Sequence, residues 1–154
     1  MSSARDQRPQ PDPRSAYAHF MPITTRWMDN DAYGHINNVV YYSYFDTVVN
    51  AYLMGKGFLE PGKTPVIGLV VETGCQYFSS LKYPDAVQAG LRVARIGGSS
   101  VRYEVGIFGN DEPLTAARGH FVHVYVDPAS RRPIPLPATL RAALEPLLVS
   151  STTP

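Results

Sequence analysis

From Asn38 to about Lys56 the chain places Val40, Tyr41, Tyr44, Phe45, Val48, Tyr52 and Leu53 at intervals of three and four residues, the period of an α-helix. Only Ser43, Asp46 or Thr47, and Asn50 form a polar stripe at matching spacing. A helix apolar over most of its circumference has to be covered by other structure, so this one is central and the rest of the chain must wrap it. Gly55 and Gly57 supply its stop.

The wrapping material reads as extended. Residues 20–28, "FMPITTRWM", alternate as a first strand, with Ile23, Thr25 and Trp27 on one face and Thr24, Arg26 and Met28 on the other. After a Gly and Pro loop at 55–65, strands are predicted over 66–79, 87–96, 101–108 and 114–126, separated by turn chemistry at "GGSS" (97–100) and "GNDEP" (109–113). Long strands in succession with short turns predict an antiparallel meander. A short closing helix is expected at 137–145, with Pro at its first turn and Pro146 at its end. One strand, a buried helix and then four strands imply an α+β architecture in which a curled sheet wraps the helix.

The 154 residues, 44% of them hydrophobic, have room for one domain with a core of its own and not for a second. Fourteen Lys and Arg stand against 13 Asp and Glu, a formal charge of +1 with no basic block, so nucleic acid is not expected as a partner. The single cysteine, Cys75, excludes an internal disulfide, and neither a secretory signal nor a membrane-spanning apolar run is visible. A cytoplasmic protein with no membrane association is expected. Residues 1–18 read as a disordered tail, 19–148 as the domain and 149–154 as a flexible C-terminus.

The polar residues are concentrated at the mouth of the helix, in "RWMDNDAYGHINNVVYYSYFD" (26–46). Asn37 and Asn38 fit helix N-caps, and Gly34 a turn that needs an unusual backbone angle or a close approach. Asp29 fits a loop-fixing role, pairing with Arg26. Asp46 on the helix stripe and Glu72 on a strand compete as carboxylates, and both fit structural roles. His120 and His123 have odd spacing on a strand, so they point to opposite faces and a shared metal is not expected. Cys75 has no basic neighbour in sequence to make it a thiolate.

The arrangement D-x-D-x-x-G-H-x-N-N, formed by Asp29, Asp31, Gly34, His35, Asn37 and Asn38 and followed by Tyr41, Tyr42 and Phe45, resembles the hotdog-fold acyl-CoA thioesterases, in the 4-hydroxybenzoyl-CoA thioesterase group. "LKYPD" (81–85), "GGSSVRYEV" (97–105) and "VDPASRRPIPLP" (126–137) extend the resemblance over about residues 20–145. It implies a curved antiparallel five-stranded sheet around the long helix, and sheets of two subunits joined edge to edge in a homodimer or homotetramer with active sites at the interface. It also implies hydrolysis of an acyl-CoA thioester without metal or separate cofactor, coenzyme A being part of the substrate. Asp31 corresponds to the aspartate that does the chemistry, and the carbonyl-polarising backbone N–H falls near Asn38.

That chemistry suits these residues. A thioester carbonyl is electrophilic and its thiolate leaves readily, so a directed attack and a place for the developing negative charge suffice. Asp31 can act as general base on water or as nucleophile. Unpaired N–H groups at the helix start can receive the oxyanion. His35 can orient Asp31, donate to the thioester or assist the leaving sulfur. Gly34, Asn37 and Tyr41 are the expected substrate-binding neighbours. Arg95, Arg102, Arg118, Arg131, Arg132 or Lys82 could hold the coenzyme A phosphates. Two rival readings are a hotdog enoyl-thioester hydratase or dehydratase, with His35 and an aspartate as acid and base, and an acyl-CoA-binding module without turnover.

Overall fold

The computed structural model describes residues 8–60 and 66–149. Within them, β1 (His19–Ile23) precedes the long helix α1 (Val40–Gly55). The strands β2 (Ile67–Tyr77), β3 (Val87–Ile96), β4 (Ser100–Gly109) and β5 (Ala117–Val126) follow, and then the short helix α2 (Ala138–Leu144). The strands form one five-stranded sheet in the order β1-β3-β4-β5-β2, antiparallel throughout. This is the hotdog architecture, with α1 lying against β3, β4 and β5.

The helix is buried where its period says it should be. Tyr41, Tyr44, Phe45, Val48, Val49, Tyr52 and Leu53 all face the core, while Ser43, Asp46 and Thr47 are exposed. Phe45 is wholly buried and meets Phe121 of β5 edge to face, with ring centroids 6.2 Å apart. The C-terminal end closes as a Schellman motif: the Phe58 N–H donates to the Leu53 carbonyl at 2.9 Å and the Gly57 N–H to the Met54 carbonyl at 3.0 Å. Gly57, at φ +86°, takes the left-handed position that this closure needs. From α2 the Ala143 carbonyl accepts the Tyr52 hydroxyl at 2.6 Å, tying the closing helix to the central one.

Three sequence expectations need correction. The first strand ends at Ile23 rather than 28, because the Asp29 carboxylate accepts the Arg26 N–H at 3.0 Å and folds Trp27–Asp29 into a 3-10 turn. Trp27 is left 76% exposed instead of facing the sheet. Only β3, β4 and β5 form a meander; β2 pairs with β5 at the far edge and does not neighbour β3. The link 78–86 is too long for a tight hairpin and bonds to the loop before α1, the Leu81 carbonyl accepting the Ile36 N–H at 2.8 Å and the Asn30 side chain the Tyr83 N–H at 3.0 Å.

The third correction concerns the expected tail. Residues 1–7, like 150–154 of the expected flexible C-terminus, lie outside the described residues, but 12–18 are bound across the outer face of the sheet. Tyr17 is 6% exposed, its hydroxyl donates to Asp12 at 2.8 Å, and the Ala18 N–H donates to the Leu91 carbonyl at 3.1 Å. Asp12 in turn pairs with Arg118 at 2.9 Å and Arg92 at 3.5 Å, joining a set of outer-face ion pairs that includes Arg92–Glu104 at 2.8 Å. Polar composition suggests a tail, but the Tyr17 ring, the Asp12 carboxylate with its two guanidinium partners, backbone bonding of Asp12 to Thr115 and the Arg14 guanidinium on the Asn110 and Glu112 carbonyls seat it.

Candidate active site

The loop ahead of α1 is built on a buried charge. Asp29 is 0% exposed; its carboxylate accepts the Tyr44 hydroxyl at 2.6 Å and pairs with the Arg26 guanidinium at 2.9 Å. Burial alone opposes ionisation here, but the donors from Tyr44 and Arg26 and the guanidinium charge outweigh it and hold the carboxyl below its ordinary range. The Asp29 carbonyl also accepts the Asn37 N–H at 2.9 Å, so one residue fixes both the side of the helix and its approach. This is the loop-fixing role expected for Asp29.

Residues 31–35 close on themselves. The Asp31 N–H donates to the His35 carbonyl at 2.8 Å, and the Asp31 Oδ1 accepts the Tyr33 N–H at 2.8 Å as an Asx turn. Gly34 sits at φ +80°, and no atom lies within 4 Å of the place a Cβ would occupy. Of the two reasons expected for this glycine, the backbone angle is therefore the operative one.

The helix begins two residues later than its period suggests. Its first residue is Val40, its N-cap is Val39, and Asn38 stands in the preceding turn. Neither asparagine is the N-cap expected of them: the Asn37 Oδ1 accepts the Val39 N–H at 3.2 Å as an Asx turn ahead of the helix, and its carbonyl accepts the Val40 N–H at 2.9 Å. Among the described residues no acceptor takes the Asn38 N–H.

A cavity of about 260 Å³ opens beside this turn. His35, Ile36 and Asn38 line it from the loop, Tyr41 from the helix, and Tyr77, Phe78, Ser79 and Ser80 from the end of β2. Burial, with a smaller contribution from Cys75, pushes the Tyr41 phenol up to about 12, so it stays neutral. Burial likewise raises the Cys75 thiol, which keeps it a poor nucleophile.

The structure thus gathers three of the expected site residues, His35, Asn38 and Tyr41, around one cavity. Gly34 and Asn37 belong to the loop ahead of the helix but do not line the cavity. Asp31 does not line it either: Oδ1 is taken by its own turn, and among the described residues no donor takes Oδ2. The residues that sequence reasoning missed are Tyr77 to Ser80. Two aromatics followed by two serines at a strand end, directly ahead of "LKYPD", are the signal that could have pointed to them.

The competing groups lie elsewhere. Glu72 pairs with His120 at 3.0 Å and Arg102 at 3.4 Å on the face of the sheet opposite Phe121 and the helix. His123 is buried on the helix side, so the two histidines do face opposite ways. Arg102 and Arg118 are engaged in outer-face ion pairs, whereas Lys82, Arg95, Arg131 and Arg132 are exposed.

Comparison with known proteins agrees with this architecture. The sequence model of the family described as the thioesterase-like superfamily matches residues 25–144. The crystal structure of the PA5185 protein from Pseudomonas aeruginosa strain PAO1 is 48% identical, with 93% of this chain and 100% of that chain covered at a TM-score of 0.88. A thioesterase from Thermus thermophilus, complexed with coenzyme A and Zn, is 29% identical over 86% of this chain and 95% of its own, at a TM-score of 0.72. The gentisyl-coenzyme A thioesterase BH1999, 22% identical with a TM-score of 0.72, shares the fold. Among curated proteins, YsmA of Bacillus subtilis (strain 168) is 22% identical over 88 residues, and the match covers 57% of this chain and 59% of YsmA.

Proposed function

Because the chain belongs to the thioesterase-like superfamily, we propose that it hydrolyses an acyl-CoA thioester to the free acid and coenzyme A, as the 4-hydroxybenzoyl-CoA thioesterase group does. One observation carries the reading: the Asn38 backbone N–H, unclaimed by any described acceptor, stands at the positive end of α1 beside a cavity. A donor so placed can take the charge that develops on the thioester oxygen.

Asp31, in the loop ahead of this turn, is the base or nucleophile of this proposal. As base it takes a proton from water while that water's oxygen bonds to the carbonyl carbon; the tetrahedral intermediate then collapses, the carbon–sulfur bond breaks, and coenzyme A leaves as a thiolate. As nucleophile, its carboxylate oxygen bonds to the carbonyl carbon, the carbon–sulfur bond breaks and coenzyme A leaves as a thiolate, and water then opens the resulting mixed anhydride to the free acid and the regenerated carboxylate. His35, exposed at the cavity, assists the departing sulfur. Two supports for self-association are the sheet edge at β2 and the exposed Val70 and Val71 on it, at 49% and 61%. A second copy added there would bring its own residues toward the Asp31 loop. No described helix is long and apolar enough to cross a membrane.

The test is thiol release from short-chain, long-chain and aromatic acyl-CoAs by the native protein and by Asp31→Asn, with crotonyl-CoA hydration followed in parallel. The proposal expects the substitution to lower kcat by about 10² to 10⁴-fold. Release undiminished in Asp31→Asn removes that residue from its role. Hydration without release favours the hydratase reading, and tight binding without either favours the binding module.

A further inference from the structure

Tyr77 belongs to none of the elements from which the helix start is built, yet it holds it. Its hydroxyl donates to the Asn38 carbonyl at 2.7 Å from the last residue of β2, and its ring meets that of Tyr41 edge to face at 5.2 Å across the cavity. A peptide group is rigid and planar, so the Asn38 carbonyl and the Val39 N–H turn as one body. That body is fixed at both ends, by Tyr77 at the oxygen and by the Asn37 Oδ1 at the nitrogen, 3.2 Å away. The peptide on the other side, between Asn37 and Asn38, is fixed through the Asn37 carbonyl, which accepts the Val40 N–H at 2.9 Å. The Asn38 N–H belongs to this second unit, which hinges on the first at the Asn38 Cα, and it is left without a described acceptor.

Resting on the hydrolase reading, we infer that Tyr77 is a positioning residue: its hydroxyl fixes the direction of the Asn38 N–H as the oxyanion donor, and so ties the site to the edge strand β2. The other described anchors of this turn come from loops and from the helix start: the Asn37 N–H donates to the Asp29 carbonyl at 2.9 Å, and Asn37 accepts from Val39 and Val40. Among the described residues Tyr77 supplies the one that comes from the sheet, and without it the turn can rock about the helix end while α1 itself stays packed. Burial first, with the neighbouring Cys75 second, raises the Tyr77 phenol, so it keeps the proton that this donor bond requires. Donor direction matters most when charge has developed on the oxygen, so its loss acts on the transition state more than on substrate binding.

Tyr77→Phe keeps the ring against Tyr41 and removes only the hydroxyl, at a residue 44% exposed and therefore tolerant of the change. Two measurements are made on it: steady-state thiol release with the best acyl-CoA of the panel, and amide hydrogen exchange at Asn38 and Val39 by NMR on ¹⁵N-labelled protein. The expected result is a kcat about 10- to 100-fold lower, KM within about twofold of native because uniform binding is untouched, an unchanged melting temperature, and faster exchange at Val39. Native kcat, or a rise in KM alone, overturns the inference, and so does unaltered exchange at Val39. If the native protein releases no thiol from any acyl-CoA, the hydrolase reading fails on that count, while the exchange measurement still decides whether Tyr77 clamps the turn.

Discussion

Replacing Tyr44 with Phe probes the buried charge that anchors the approach to α1. The Asp29 carboxylate has no exposed surface, and it accepts the Tyr44 hydroxyl at 2.6 Å, the Arg26 N–H at 3.0 Å and the Arg26 guanidinium at 2.9 Å. Taking away the phenol oxygen removes one donor from a charge that cannot turn to water. Hydrogen bonds to charged groups are worth about 1.5 to 3 kcal/mol. Arg26 remains, with 59% of its side chain exposed, and can shift to share the freed oxygen, which places the loss near the lower part of that range, about 2 kcal/mol. In a chain of this size that corresponds to a melting temperature lower by about 4 to 8 °C.

The same bond sets a pH signature. The folded-state carboxyl lies below its unfolded value, so its contribution is fully present above the unfolded value and is lost as the pH falls through the folded one. Because Tyr44 is among the causes of that depression, the gap between native protein and variant should be widest near neutral pH and narrow below about pH 4. Urea unfolding followed by circular dichroism from pH 7 downward reads both quantities. A gap under about 0.5 kcal/mol at pH 7, within the range of an ordinary surface substitution, or one that widens in acid, would refute the view that Asp29 is held as a buried anion by Tyr44.

Two further outcomes follow from single residues. Gly34→Ala should cost about 1 to 2 kcal/mol for the left-handed angle alone, since no neighbour lies within 4 Å of the new methyl group, and equilibrium unfolding measures it. His123 is buried, its Nε2 has no hydrogen-bond partner among the described residues, and desolvation drives its pKa down to about 4 against the opposing charge of Asp46. From its ordinary value of 6.5 down to about 4 the unfolded chain takes a proton that the folded chain refuses, so native stability should fall as the pH drops through that window. The loss amounts to roughly 3 kcal/mol, and His123→Phe should flatten that part of the curve in unfolding measurements; an unchanged slope counts against the assignment.

What the sequence determined by itself is whatever depends on local period and local chemistry. The helix-facing pattern from Tyr41 to Leu53, the stop at Gly57 and the bounds of β3 all follow from side-chain spacing and backbone allowance, which neighbours in the chain carry between them. The motif from Asp29 to Asn38 was legible too, because a loop, a turn and a helix start occupy adjacent positions. The tertiary structure alone decided which strand lies beside which, since β2 finds β5 rather than β3 and no spacing along the chain encodes a hydrogen-bond partner. It also decided that Tyr17 is seated on the sheet, that Trp27 faces outward, and that a tyrosine 39 positions from Asn38 holds the carbonyl of that residue. Each of these depends on atoms brought together only when the sheet curls around its helix, so the site is half written in one loop and half assembled by the fold.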